Sequence, residues 1–130
     1  MSVPLFLTLD EVLDIHRDQI TRYGGLEGIR DLGLLKSAMA MPPAGARGRF
    51  FHEDIYAMAA AYLFHIVRNH PFLDGNKRTA FMAAYVFLRL NGVDLIATDG
   101  QASVLVMEMS AGKASKADAA EFFEKYSKEK

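Results

Sequence analysis

The hydrophobic positions in the first forty residues recur at the spacing of helices. Apolar residues and one histidine share one face of a first predicted helix: Leu9, Val12, Leu13, His16 and Ile20. Thr8 or Asp10 is a suitable N-cap for that helix, and Gly24-Gly25 is a suitable stop. A second, shorter helix is predicted from Asp31 to Met41, because Pro42-Pro43 ends it.

Two longer helices are predicted in the middle of the chain. The third has an unbroken apolar stripe at helical spacing: Ile55, Met58, Ala59, Tyr62, Leu63, Ile66 and Val67. Asp54 is positioned to cap the start of this helix. Pro71 disfavours helical geometry at the preceding residue, His70, so the helix is predicted to end by about Asn69. The fourth helix runs from Asn76 to Leu90. Its residues 79–88 carry no charge on any face, which predicts the buried central helix of the domain.

The rest of the chain predicts short elements. Residues 44–53 predict an exposed loop or small hairpin, and residues 93–97 predict a brief extended segment. Two further helices are predicted near residues 101–111 and 115–128. The predicted fold class is therefore all-α, a compact bundle of about six helices around a buried central helix. We expect a single domain over residues 1–130.

Composition narrows the class of protein. With 51% hydrophobic and 24% charged residues, the 130-residue chain has globular composition, so disorder is not expected. The formal net charge of −1 argues against nucleic acid as a direct partner. Cysteine is absent, the first nine residues lack a signal-peptide pattern, and the longest apolar run is too short to span a membrane. We therefore expect a cytoplasmic protein without membrane contact.

The segment between the third and fourth helices carries residues that stability does not explain. Lys77 and Arg78 fall in the first turn of the fourth helix, where the helix dipole disfavours cations by a few tenths to about 1 kcal/mol each. An anion held by these side chains and by the backbone N–H groups of residues 75–77 removes this conflict and predicts a phosphate site. In the alternative interpretation, both side chains simply reach solvent.

Asp74 and His70 extend this predicted site. A carboxylate beside a polyphosphate requires a cation between them, so Asp74 is interpreted as a Mg²⁺ ligand or, equally well, as the N-cap of the fourth helix. A histidine side chain titrates near neutral pH, so His70 is suited to accept a proton from an attacking hydroxyl, although an isolated histidine is more often structural. The remaining histidines are interpreted as structural, because their spacing has no metal-ligand pattern: His16, His52 and His65. A base, a metal ligand and an anion site so close together are the parts that phosphoryl or nucleotidyl transfer requires.

The same segment, His-Pro-Phe-Leu-Asp-Gly-Asn-Lys-Arg at residues 70–78, resembles the motif of the Fic family, H-x-F-x-[DE]-G-N-G-R-x-x-R. Lys77 replaces the usual glycine, and Phe81 replaces the second arginine. Both departures are similar to the death-on-curing (Doc) toxin branch of the Fic/Doc family, whose motif reads H-x-F-x-[DN]-[AG]-N-K-R. Three N-terminal stretches also resemble Doc toxins: residues 15–16, 23–25 and 28–35.

This resemblance implies a Fic fold and a set of roles. His70 would be the general base that activates a serine or threonine hydroxyl of a target protein, and Asp74 would bind Mg²⁺. The phosphates of ATP would be held by loop amides and by four neighbouring residues: Gly75, Asn76, Lys77 and Arg78. Arg68 would assist in binding the nucleotide, and residues 44–53 would form a flap that docks the target segment.

The resemblance also implies a reaction. Typical Fic enzymes transfer AMP and use the second arginine, which Phe81 cannot replace, whereas Doc toxins transfer the γ-phosphate of ATP to elongation factor Tu. We therefore expect a Mg²⁺-dependent protein kinase that arrests translation, with AMP transfer as the alternative. The sequence contains no inhibitory [ST]-x-x-x-E-[GN] helix, so a Phd-like antitoxin is the expected inhibitor.

Two alternatives belong to other functional classes. A non-catalytic helical module, which binds an antitoxin and acts as a co-repressor, agrees with the helices and the neutral charge. It leaves Asp74, Lys77 and Arg78 at one helix N-terminus unexplained. A metal hydrolase that uses histidine and aspartate is disfavoured, because the sequence offers no second clustered histidine or carboxylate near His70.

Overall fold

The computed structural model describes residues 3–129 and confirms the all-α class. Helices occupy most of that range: α1 Leu9–Tyr23, α2 Leu32–Ala40, α3 Ile55–Asn69, α4 Asn76–Leu90, α5 Asp99–Ser110 and α6 Lys116–Lys125. The strands are only two or three residues long: β1 Gly45–Ala46, β2 Arg49–Phe50, β3 Val93–Leu95 and β4 Ser127–Glu129. Among the described residues, no helix combines the length and the apolar character that a membrane span requires.

The helix boundaries follow from local capping chemistry. Of the two N-cap candidates for α1, Thr8 is the cap, since its hydroxyl accepts a hydrogen bond from the Glu11 backbone N–H at 3.2 Å. Asp54 caps α3 as predicted, accepting from the Ala57 N–H at 2.8 Å. At the other end of α1, Gly24 has a positive φ of 82° that ends the helix.

The core lies between α3 and α4, which share the centre of the bundle. Residues 79–88 of α4 have no exposed side chain, as their lack of charge predicts. However, α4 is not the sole central helix, because α3 packs against α2, α4, α5 and α6. Tyr62 and Phe87, both fully buried, pack against each other across this interface, with ring centroids 5.2 Å apart and planes tilted by 47°.

The C-terminal segment departs from the helix predicted through residue 128. Helix α6 ends at Lys125, and β4 then pairs antiparallel with β3, with Leu95 opposite Ser127. The pairing provides partners for the backbone of β3, whose residues Val93 and Leu95 are buried and therefore require hydrogen bonds. The extended segment predicted at β3 and the hairpin predicted at residues 44–53 are both confirmed, the latter as β1 paired with β2.

Candidate functional site

The connection from α3 to α4, residues 70–75, begins with a sharp change of backbone direction. His70 ends α3 in the left-handed conformation, with φ 48° and ψ 56°, and is exposed to solvent. A residue that precedes proline prefers an extended backbone, so contacts elsewhere must hold His70 in this conformation. Two residues later, Phe72 is fully buried and anchors the loop in the core. The loop therefore presents His70 outwards from a fixed base.

His16, on helix α1, packs against the loop between α3 and α4. The His16 ring lies parallel to the Phe72 ring, with centroids 3.8 Å apart and 6° between the planes. Its Nε2 lies 2.8 Å from the Asp74 carbonyl oxygen, and since a carbonyl only accepts, this nitrogen carries the proton and donates. His16 is 4% exposed. The structural role predicted for this histidine is confirmed, because its contacts with Phe72 and Asp74 hold the loop of the candidate site in place.

The segment between α1 and α2 fixes the loop from a second side. Ile29 and Phe72 form an isolated antiparallel bridge. Next to it, Arg30 donates hydrogen bonds from its side chain and its backbone to the carbonyl oxygens of residues 69–71. The loop is therefore held by residues far from it in sequence.

Asp74 is held by backbone amides as a charged and exposed carboxylate. Its Oδ2 accepts a hydrogen bond from the Leu26 N–H at 3.2 Å, and its Oδ1 accepts from the Gly75 N–H at 2.9 Å. These two hydrogen bonds, with smaller contributions from Arg78 and His16, hold the pKa of the Asp74 carboxyl below its ordinary value. Asp74 is therefore ionised at neutral pH, with lone pairs still open to solvent.

Two glycines allow this arrangement of Asp74. Gly25 has a φ of 120°, and a Cβ atom there would lie 2.7 Å from Asp74 Oδ2. Gly75 has a φ of 74° and is itself the N-cap of α4. The interpretation of Asp74 as the N-cap of this helix is therefore wrong, because its carboxylate turns back to Leu26 instead.

The N-terminus of α4 has no side-chain cap among the described residues. The N–H groups of Asn76, Lys77 and Arg78 are the ones that an α-helix leaves without an intrahelical partner. The Asn76 side chain is buried and closes the loop, because its Oδ1 accepts from the Phe72 N–H and its Nδ2 donates to the Phe72 carbonyl, both at 2.9 Å. What Asn76 can offer to an anion is thus its backbone N–H and not its amide group.

The two predicted cations differ in how firmly they are held. Lys77 is exposed, whereas Arg78 donates from Nη2 to the Gly24 carbonyl at 2.9 Å and lies over the Tyr23 ring at 5.4 Å from its centroid. Both residues line a cleft of about 490 Å³ between α1, α4 and α5, which Phe81 also lines. The positively charged N-terminus of α4 therefore lies at the edge of a partly apolar cleft.

Arg68 stands on the last turn of α3, exposed to solvent. Its guanidinium lies over the Phe64 ring at 5.5 Å from the centroid. Its charge is one of the causes that lower the pKa of His65. The structure thus assembles the other six predicted residues, 70 and 74–78, at one loop and helix start, and leaves Arg68 packed on its own helix.

A second cluster joins the hairpin of residues 44–53 to the bundle. The Lys116 Nζ lies 3.3 Å from His52 Nε2 and 2.9 Å from His65 Nε2. Burial, followed by the charge of Lys116, lowers the pKa of His65 to about 4 and also lowers that of His52. Across residues 3–129, no group of three or more histidine, cysteine, aspartate or glutamate side chains is arranged to hold a metal ion.

Sequence reasoning did not identify Arg30, Leu26 or Gly25 as parts of this site. All three act through contacts with residues some forty or more positions later, and no local pattern signals such contacts. The available signal was the resemblance of residues 23–25 and 28–35 to Doc toxins, which indicates the segment without giving its role.

Comparison with known proteins agrees with the motif. A sequence model of the Fic/DOC family matches residues 6–88. Toxin Doc of Mycolicibacterium smegmatis is 47% identical over 75 residues, covering 58% of this chain and 58% of that protein. Protein kinase doc of Escherichia phage P1 is 38% identical over 89 residues, covering 66% of this chain and 68% of that protein. The chain thus spans little more than half the length of the mycobacterial relative.

Proposed function

The chain belongs to the Fic/DOC family, and from this premise we propose that it is a Doc-like toxin that transfers the γ-phosphate of ATP to a protein hydroxyl. The observation that carries the proposal is the start of α4. There, a helix N-terminus without a side-chain cap in the described chain stands beside two cations and one ionised carboxylate. This combination suits a polyphosphate with its counterion better than it suits stability alone.

The backbone N–H groups of residues 76–78, together with the side chains of Lys77 and Arg78, would hold the phosphates, because the Gly75 N–H already donates to Asp74. Free N–H groups at a helix start attract anions, and the helix dipole adds to the two side-chain charges. Arg78 is already oriented by its hydrogen bond to Gly24, so little side-chain freedom is lost when an anion binds. The nucleoside would occupy the adjoining cleft of about 490 Å³. Arg68 would assist from α3 only if its guanidinium left the Phe64 ring over which it lies.

Asp74 fits the role of a Mg²⁺ ligand. Its carboxylate is ionised, exposed and fixed by two backbone amides, and each oxygen retains lone pairs. Mg²⁺ is commonly bound by one or two carboxylates together with substrate phosphates. When bound, the ion would neutralise part of the charge that develops on the phosphates during transfer.

His70 would act as the general base. Its exposed ring, at the end of α3, would accept the proton of a serine or threonine hydroxyl. The hydroxyl oxygen would form a bond to the γ-phosphorus as the bond from that phosphorus to the bridging oxygen breaks. ADP would leave with the electron pair of that bond, and the proton would remain on His70.

Transfer of the γ-phosphate is favoured over transfer of AMP because of Phe81. This position, which carries an arginine in Fic enzymes that transfer AMP, is half-buried here, and its ring packs near Phe123 with centroids 6.2 Å apart. An apolar ring at the cleft wall cannot bind a γ-phosphate. The name of the phage P1 relative, protein kinase doc, also supports phosphate transfer.

The target and the inhibitor are extensions of the same proposal. We assign the target to a translation protein, elongation factor Tu, so that its modification arrests translation. A relative bears the name toxin Doc, which supports a toxin–antitoxin pair, and the proposed inhibitor is a Phd-like antitoxin. The toxin would meet its target in the cytoplasm.

Labelled ATP tests the proposed reaction. Purified protein and Mg²⁺ are added to a bacterial translation extract, with ATP labelled at the γ-phosphate in one tube and at the α-phosphate in another. We expect γ-label on a protein of the size of elongation factor Tu, reduced by about 10²- to 10⁴-fold in His70→Ala. Asp74→Asn, which keeps the shape of the side chain, is expected to lose the Mg²⁺-dependent signal as well. Label from the α-position alone would mean AMP transfer, and the absence of His70-dependent label would favour a non-catalytic binding module.

A further inference from the structure

Arg30 and the residue after it bind three consecutive carbonyl groups at the end of α3. The guanidinium donates from Nη2 to the Asn69 oxygen at 2.8 Å and from Nε to the His70 oxygen at 2.6 Å. The backbone N–H groups of Arg30 and Asp31 both donate to the Pro71 oxygen, at 2.7 and 3.0 Å. The peptide planes on both sides of His70 are therefore fixed from outside the loop.

These hydrogen bonds act on a backbone that would otherwise relax. A left-handed conformation is unfavourable for histidine, and the following proline further favours an extended backbone at this position. The His70 N–H donates to the Ile66 oxygen at 3.1 Å, which fixes the amide side of the residue. The carbonyl side is bound by the Arg30 side chain alone among the hydrogen bonds given by the described residues. Without that bond, the His70–Pro71 peptide plane would be held only indirectly, through the buried Phe72 and the backbone hydrogen bonds to Pro71.

We propose that Arg30 is a positioning residue that directs the His70 imidazole towards the phosphate site at the start of α4. This inference rests on the proposed function, in which His70 is the general base. A general base must lie within hydrogen-bond reach of the proton that it removes, so a small rotation of the backbone beneath it reduces the rate. Arg30 itself would touch neither ATP nor the target hydroxyl.

The bidentate geometry explains why an arginine is suited to this position. A guanidinium presents donors in a rigid fork, so that one side chain binds two neighbouring carbonyls at a fixed angle. A lysine ammonium can reach one of them and keeps more freedom. The proposal therefore distinguishes Arg30→Lys from a mere requirement for positive charge near the C-terminus of α3.

Three variants test this role in the full-length chain. Arg30→Gln removes the fork, Arg30→Lys keeps the charge, and Arg89→Gln removes another exposed arginine near a helix C-terminus. In the γ-phosphate assay, we expect kcat of Arg30→Gln to fall about 10- to 100-fold while its KM for ATP changes by less than about twofold. Arg30→Lys should fall between wild type and Arg30→Gln, and Arg89→Gln should match wild type.

Amide hydrogen exchange gives a readout that does not depend on activity. The His70 N–H should lose protection in Arg30→Gln by about tenfold or more, while the Leu63 N–H in the middle of α3 keeps it. If the wild type transfers no phosphate, the proposed function fails, and protection at His70 alone then decides the role of Arg30. Unchanged protection of the His70 N–H in Arg30→Gln would overturn the inference. So would a loss of kcat that, in both Arg30 variants, is fully accounted for by the fraction of unfolded protein, as measured by thermal denaturation.

Discussion

The two clusters that combine histidine with cationic side chains along α3 differ in how much binding capacity they retain. Around Lys116, one ammonium group contacts Nε2 of both His52 and His65, so the cation is already engaged by neighbouring side chains. Around the α3–α4 loop, backbone amides bind Asp74, and the N–H groups at the start of α4 have no side-chain cap in the described chain.

Burial explains this difference. The imidazole of His65 is partly buried, and its pKa of about 4 keeps it neutral beside a lysine at physiological pH. The α3–α4 loop instead exposes His70 and Asp74 to solvent, and the first turn of α4 exposes Lys77. A cluster whose cation is already engaged by neighbouring side chains contributes to stability, whereas one that leaves charges and donors open is suited to bind a ligand.

The largest expected difference between the two clusters is the effect of replacing the lysine of each with methionine. Lys77→Met should weaken binding of MgATP by about 10- to 100-fold, the loss of one charge-assisted hydrogen bond. Lys116→Met should leave that affinity within about twofold of wild type and lower the free energy of unfolding by about 1 kcal/mol, because two imidazoles lose their donor. Calorimetric titration with a non-hydrolysable ATP analogue and denaturant unfolding measure the two effects. Equal losses of affinity would contradict the division of roles.

Two adjacent glycines sharpen the comparison within the candidate site. Gly25→Ala introduces a Cβ 2.7 Å from Asp74 Oδ2 and a strained φ of 120°, so we expect a loss of about 1–3 kcal/mol in the free energy of unfolding and weaker MgATP binding. Gly24→Ala is the matched control, because its φ of 82° is also strained but its Cβ would meet nothing within 4 Å. The measurement is the rise in melting temperature on adding MgATP. A full rise in Gly25→Ala would argue against a role for Asp74 in binding.

The pH dependence of stability is the smallest of these effects and concerns the Lys116 cluster. In the unfolded chain, His65 gains its proton near pH 6.5, whereas in the folded chain it does so near pH 4. Between these values the unfolded state binds more protons, so stability falls as the pH is lowered from about 6.5 to 4, by roughly 1–2 kcal/mol after allowance for solvent screening. His65→Gln should lose that part of the slope in melting temperatures recorded from pH 7 to pH 4. An identical slope in the variant would show that other groups cause it.

The helices could be predicted from the sequence because their signals are local. Thr8, Asp54 and Gly24 mark helix ends within one turn of their own position, and the apolar stripe of α3 repeats over neighbouring turns. The end of α6 was not predictable in this way, since β4 exists only through pairing with β3, thirty-odd residues earlier.

In the candidate site, too, the features with a local sequence signal could be predicted and those that depend on distant contacts could not. Lys77 and Arg78 conflict with the dipole of α4, and this local conflict indicated an anion site. Asn76 was predicted to hold phosphate, yet both polar atoms of its side chain are bonded to the backbone of Phe72. Its role in holding phosphate remains a proposal that now concerns its N–H group. The contribution of Arg30 depends on chain segments that only the folded structure brings together.

The hydrogen bonds that shape the α3–α4 loop join residues far apart along the chain. Those from His16, Leu26 and Arg30 span between 39 and 58 positions. Closing such long segments is slow compared with forming a helix, so α3 and α4 can form before the loop between them acquires its final shape. Helix formation and completion of the loop would therefore be separate kinetic steps, and a newly made chain would hold most of its helices before the candidate site took shape.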